Sequence, residues 1–181
     1  MKNDGAEDSS ARCNPSQDQK KILEKVRVGD VFRMRLGPEE GVPGKNDGDG
    51  GRNKYFVIAG IDTKKEFLGI LLINTDINRN IPVGRQKLHL KLFTDEYIFL
   101  RDKNPESPVE SRFVDCSDMK KFRLAKFCKS CNRDKWKGRI ETEDMNRILE
   151  ETANSEFASP KWMKRFGLNR FIKSDPRGTD K

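Results

Sequence analysis

The strongest constraint on this chain is a change of period at Val28. Before it, Ile22, Leu23 and Val26 fit one stripe of a short helix over residues 17–26, opened by the capping-box pattern Ser16-Gln17-Asp18-Gln19. After it come short β-type runs at 28–35, 54–59, 67–73, 87–93 and 111–116. Leu88, Leu90 and Leu92 alternate with Lys87, His89 and Lys91, and Gly60-Ile61-Asp62-Thr63-Lys64 joins two runs as a hairpin. Helical spacing returns at 143–153, where Thr142 offers a cap, Glu143 and Asp144 suit the helix dipole, and Met145, Ile148 and Leu149 form the apolar stripe. Successive short strands followed by a helix predict a mainly β fold, a small β-barrel with appended helices, and exclude an alternating βα sheet.

The chain has 181 residues, 34% hydrophobic and 36% charged, enough for one domain of ordinary size. Residues 1–15 have almost nothing to bury and read as a disordered tail. Residues 16–155 hold the barrel with its flanking helices, and 156–181 hold an amphipathic helix and a tail. That helix opens at Ser159-Pro160, ends at Gly167, and gathers Trp162, Met163 and Phe166 on one side, to dock on the barrel itself or on a partner. Of the net charge of +8, nearly all lies from Arg112 onward, with 18 Lys and Arg against 11 Asp and Glu. Such an excess attracts polyanions, so nucleic acid or an acidic protein is the expected partner. No segment approaches the length of a membrane span, and the N-terminal run lacks the apolar stretch of a secretory signal. The reading expects a soluble, cytoplasmic protein that contacts no membrane and keeps its four cysteines reduced.

The runs at 28–35 and 52–58 are separated by residues 37–51, which contain six glycines and two prolines and read as a long mobile loop. The loop ends on Gly51-Arg52. An arginine there, with five donors in a rigid fork and a permanent charge, suits phosphate recognition or stabilisation of a pentavalent phosphorane.

Five pieces of sequence then occur in a telling order: Gly29-Asp30-Val31, Gly51-Arg52 leading into Asn53-Lys54-Tyr55-Phe56-Val57-Ile58, Leu71-Leu72-Ile73-Asn74-Thr75-Asp76, Phe113-Val114-Asp115-Cys116-Ser117-Asp118, and Lys137-Gly138 before the 143–153 helix. In this order they resemble the MazF/PemK family of toxin endoribonucleases, over roughly residues 27–153. The resemblance implies an SH3-like barrel, usually a homodimer, that serves as the toxin of a toxin–antitoxin pair. It implies cleavage of single-stranded RNA without a metal or other cofactor, the RNA's own 2′-hydroxyl acting as nucleophile. By position, Arg52 takes the family's catalytic arginine and Asn74 or Thr75 its hydroxyl position. Asp76 is placed to orient Arg52, and Asn53 stands where the family has proline. The implied partners are single-stranded RNA and an antitoxin protein. A barrel that binds RNA without cutting it, and a module of the same fold that inhibits a protein target, are the alternatives.

Other candidates are weighed on their own residues. Lys120-Lys121-Phe122-Arg123-Leu124-Ala125-Lys126-Phe127 interleaves cations with aromatic rings, so Lys120, Lys121 and Arg123, with Lys54, are candidate RNA contacts, while rings at this spacing also suit a core. Whether this stretch is strand or loop is open. Cys128 and Cys131 have the spacing of zinc and redox pairs, yet only Cys13, Cys116 and His89 remain to complete a zinc site, so no metal is expected. His89, the single histidine, sits at a polar-facing strand position and reads as structural.

Overall fold

The computed structural model describes residues 17–46, 48–101 and 108–173. The 1–15 tail, the Ser16 cap and Cys13 lie outside them. The expectation of a mainly β fold holds: seven strands form one antiparallel sheet. They are β1 (Asp30–Leu36), β2 (Arg52–Ile61), β3 (Phe67–Asn74), β4 (His89–Phe93), β5 (Ser111–Asp115), β6 (Lys120–Arg123) and β7 (Trp136–Arg139). Their order is β4-β5-β3-β2-β1-β7, with β6 joining β3 off that path. The sheet is not closed into a barrel, because β4 and β7 remain its two ends. What replaces closure is a fork at β3. Its last residues, Ile73 and Asn74, pair with β5, whereas Phe67–Ile70 pair with β6.

Around the middle of β2 and β3 both faces of the sheet are covered, which explains why Phe56–Ala59 and Leu68–Ile73 are buried without alternation. Val31, Val57, Leu71, Ile73 and Val114 face helix α4 (Thr142–Ala153) and helix α5 (Pro160–Arg165), through Met145, Ile148, Leu149, Met163 and Phe166. Phe32, Met34, Phe56, Ile58, Ile70 and Leu72 face the other way, toward helix α3 (Leu124–Ser130) and Val26, which follows helix α1 (Gln17–Lys25). Here Phe122 and Phe127 meet each other edge to face, and each meets a ring from the sheet, Phe122 that of Phe56 and Phe127 that of Phe32. The rings of the basic segment are therefore core, and the segment itself is β6 followed by α3. A single helical turn, α2 (Val83–Gln86), precedes β4, which begins at His89. Thr142 proves to be the first helical residue, with Glu141 in the capping place.

Three contacts give this architecture its joints. Buried Asp30 accepts from the Arg27 amide (2.7 Å), Trp136 Nε1 (3.2 Å) and Arg139 Nε (2.9 Å), tying β1 to β7. Gly60 and Gly69 are register partners under Phe166, where an added Cβ at Gly60 would lie 2.7 Å from the Phe166 Cβ. Beside them, Arg165 of α5 pairs with the fully buried Asp62 (2.5 Å) and with Glu66. Thus the tail helix docks on its own sheet. Among the described residues no helix is long and apolar enough to cross a membrane.

The expectation of a loose loop after β1 needs correction. Pro38–Glu40 form a 3₁₀ turn whose buried Glu40 accepts from the Gly37 amide (2.8 Å) and from Lys126 Nζ of α3 (2.7 Å). Val42 is buried in the α3-side core. The first part of the loop is anchored on α3, and the part beyond it leads to Arg52.

Candidate functional site

Arg52, Lys54, Asn74 and Thr75, four of the residues singled out by sequence, lie at one end of the sheet, where β2 and β5 begin and β3 ends. Gly51 starts the site at φ +119°, with the Leu36 carbonyl oxygen 2.0 Å from where a Cβ would stand, so only glycine fits this crossing. Arg52 follows opposite Leu36. It is half-buried, its Nε is buried without a hydrogen-bond partner, and among the described residues no carboxylate pairs with it.

Strand pleating sorts the neighbours into two faces. Arg52 and Lys54 lie on the face of Phe56 and Ile58. Lys54 Nζ donates to Asn74 Oδ1 across the β2–β3 pair (2.9 Å). Burial, then the charges of Arg52, Arg112 and Lys45, hold the Lys54 ammonium below the ordinary lysine range. An amide oxygen as its partner leaves that positive charge unneutralised.

Thr75 belongs to the opposite face. Its Oγ1 accepts from Arg112 of β5 (3.1 Å), and Arg112 also donates through Nε to the Leu100 carbonyl (2.6 Å). Buried Arg112 lies over the Tyr55 ring at 4.9 Å, and Arg33 of β1 lies over the same ring at 5.5 Å. Of the two residues considered for the hydroxyl position, Asn74 is the one that shares Arg52's face. Asp76 does not reach Arg52: its Oδ1 accepts from the Ile77 amide and closes its own turn.

Arg112 is the residue that sequence reasoning passed over. Val114, two positions on, points into the core, and that spacing puts Arg112 on the inward side of β5 as well.

The β6 cations lie elsewhere. Lys120, Lys121 and Arg123 are opposite Ile70, Gly69 and Phe67, at the far end of β3 from Asn74. Lys120 pairs with Asp118 (2.6 Å), Lys121 lies over the Trp162 ring at 4.5 Å, and Arg123 is exposed. The structure does not bring these three to the Arg52 cluster.

His89 departs from its expected polar-facing place. Its side chain is 2% exposed, with Nδ1 3.0 Å from the Arg85 carbonyl oxygen and Nε2 3.8 Å from Asp115. Cys131 is pushed up to about 11 by burial and by the neighbouring Cys128, whose thiol burial also raises, so neither is poised as a thiolate. No group of three or more His, Cys, Asp or Glu residues among the described ones is arranged to hold a metal ion.

What Arg52 and Lys54 offer chemically is a pair of cations with a hydrogen-bonding neighbour in Asn74. Elsewhere Lys126, Arg139, Arg147 and Arg165 are paired with carboxylates. No family model matches the chain, and no curated protein matches it either.

Proposed function

We propose that this protein binds single-stranded RNA at the β2–β3 end of the sheet and cleaves it without a metal ion. One observation carries the reading: half-buried Arg52, with no anionic partner among the described residues, stands beside Lys54, whose ammonium is crowded by other cations. A phosphodiester supplies the negative charge that this cluster lacks.

In the reaction, the 2′-oxygen attacks the adjacent phosphorus as the bond to the 5′-oxygen breaks, leaving a 2′,3′-cyclic phosphate and a 5′-hydroxyl. Arg52 stabilises the charge that builds on the phosphorane. Asn74 holds Lys54 in place, and Lys54, with its lowered pKa, is the group that exchanges protons with the reacting oxygens. The order of sequence motifs extends the proposal to a MazF/PemK-like toxin, acting as a homodimer and held in check by an antitoxin. The fork at β3, where one strand pairs with β5 at one end and β6 at the other, supports a relation to SH3-like folds.

A second reading, RNA binding without cleavage, is favoured by a specific feature: among the described residues neither Arg52 nor Lys54 contacts a carboxylate or an imidazole that would take the 2′-proton. The test is cleavage of a labelled single-stranded RNA in the presence of chelator by wild type and Arg52→Ala. The nuclease reading expects cleavage that falls at least 100-fold in the variant, the scale of losing one transition-state donor. Equal activity in the two refutes it, and binding without cutting by wild type establishes the second reading.

A further inference from the structure

The face of the sheet opposite Arg52 carries a second cationic arrangement that the cleavage chemistry does not use. Register places Arg33, Tyr55, Ile73 and Val114 in one row across β1, β2, β3 and β5. Ile73 and Val114 are core, but the β1–β2 part of the row is open, with Arg33 exposed and Tyr55 partly buried. Tyr55 receives a guanidinium from each side of its strand: Arg33 from β1 and Arg112 reaching over from β5. Two residues beyond Arg33, on the same face, exposed Arg35 lies opposite exposed Asn53.

We infer that Arg33, backed by Tyr55, is a stacking platform for a nucleobase of the same RNA strand beyond the reacting nucleotides, with Arg35 taking a neighbouring phosphate; this rests on the RNA reading above. The Tyr55 ring holds the Arg33 guanidinium by cation–π attraction, and exposed Arg33 presents there a planar cation on which a base can stack. Residues two apart on a strand are separated by about 7 Å, which sets Arg35 one nucleotide step along. Among the described residues neither arginine is paired with a carboxylate, and both are exposed, so charge complementarity selects a polyanion whose bases are unpaired. Duplex RNA does not satisfy the platform, because its bases are already stacked.

The experiment compares the binding of a fluorescent single-stranded oligoribonucleotide and an abasic oligomer of equal length to wild type, Arg33→Ala and Arg33→Lys. The platform expects wild type to prefer the base-bearing strand. Arg33→Lys keeps the charge but has no plane, so it should lose about ten-fold on the base-bearing strand and little on the abasic one. Arg33→Ala should lose on both, and more on the first. Equal losses on the two strands for Arg33→Lys, or none, overturn the platform while leaving RNA binding intact. Wild type that binds neither strand overturns the RNA reading and the platform together. Circular dichroism confirms folding, which exposed Arg33 does not control.

Discussion

Asp30 stands in the first of the sequence motifs, and its structural work can be measured by replacing it with asparagine. Oδ2 accepts from the Arg27 amide, while Oδ1 accepts from both Trp136 Nε1 and Arg139 Nε. Every neighbour is a donor. In Asp30→Asn the new NH₂ group must therefore face either Arg27 N–H or the Trp136–Arg139 pair, and one contact becomes a donor–donor clash. A hydrogen bond to a charged group contributes about 1.5–3 kcal/mol. Arg139 has 53% of its side chain exposed and Trp136 is 48% exposed, so both can turn to water and recover part of their loss. The asparagine therefore keeps its oxygen on the Arg27 N–H and turns its NH₂ toward Trp136 and Arg139, and the lost charge together with the part not recovered there totals about 2 kcal/mol. For a chain of this size that lowers Tm by about 4–8 °C. Urea unfolding followed by circular dichroism and by tryptophan emission measures it, because Trp136 sits in the contact itself. An Asp30→Asn protein within about 0.5 kcal/mol of wild type, at unchanged m, refutes the argument that this carboxylate fastens β7 to β1.

Gly51→Ala places a side chain where φ is +119° and the Leu36 carbonyl already stands; it should destabilise by more than about 1 kcal/mol and weaken RNA binding, read by urea titration and anisotropy. Asp62 gives a pH test. Burial pushes its carboxyl up, but the hydrogen bond from Arg165, with the amides of Lys64 and Glu66, more than compensates and leaves the carboxyl below 3.8. A depressed folded pKa stabilises above the unfolded value and is lost as pH falls through the folded one. Wild type should therefore lose stability faster than Asp62→Asn as pH drops below about 4, and parallel curves in acid unfolding would contradict the pairing.

Much of the fold was readable in sequence because strand character is written locally. Phe56-Val57-Ile58 and Leu71-Leu72-Ile73 announce buried strands by composition alone, and Gly51-Arg52 marks the turn into β2. The docked loop was not readable, since Glu40 finds its partner Lys126 86 residues away, and glycine content says nothing of such a contact. Strand β7 was hidden for another reason: Trp-Lys-Gly-Arg is short, basic and largely exposed, with only Gly138 buried, under Phe99. At the site, Arg52, Lys54, Asn74 and Thr75 were legible as a set. Their division between two faces was not, because it depends on the β2–β3 register, and Arg112 joins them only across the fork.

Burial of both faces has a consequence for how the chain reaches its fold. Alternating strands police their own alignment, since a slip by one residue exposes the apolar face. Along 56–59 and 68–73 a slipped pairing would still hide apolar groups, so that penalty is missing. Alignment must be decided at the margins: by Lys54 meeting Asn74 at one end and Gly60 meeting Gly69 at the other, past an irregularity between Ile58 and Gly60. Misaligned β2–β3 hairpins are the expected competitors during folding, and they would not set Gly60 beside Gly69 where Phe166 packs, so the end of the C-terminal helix favours one register of strands far earlier in the chain.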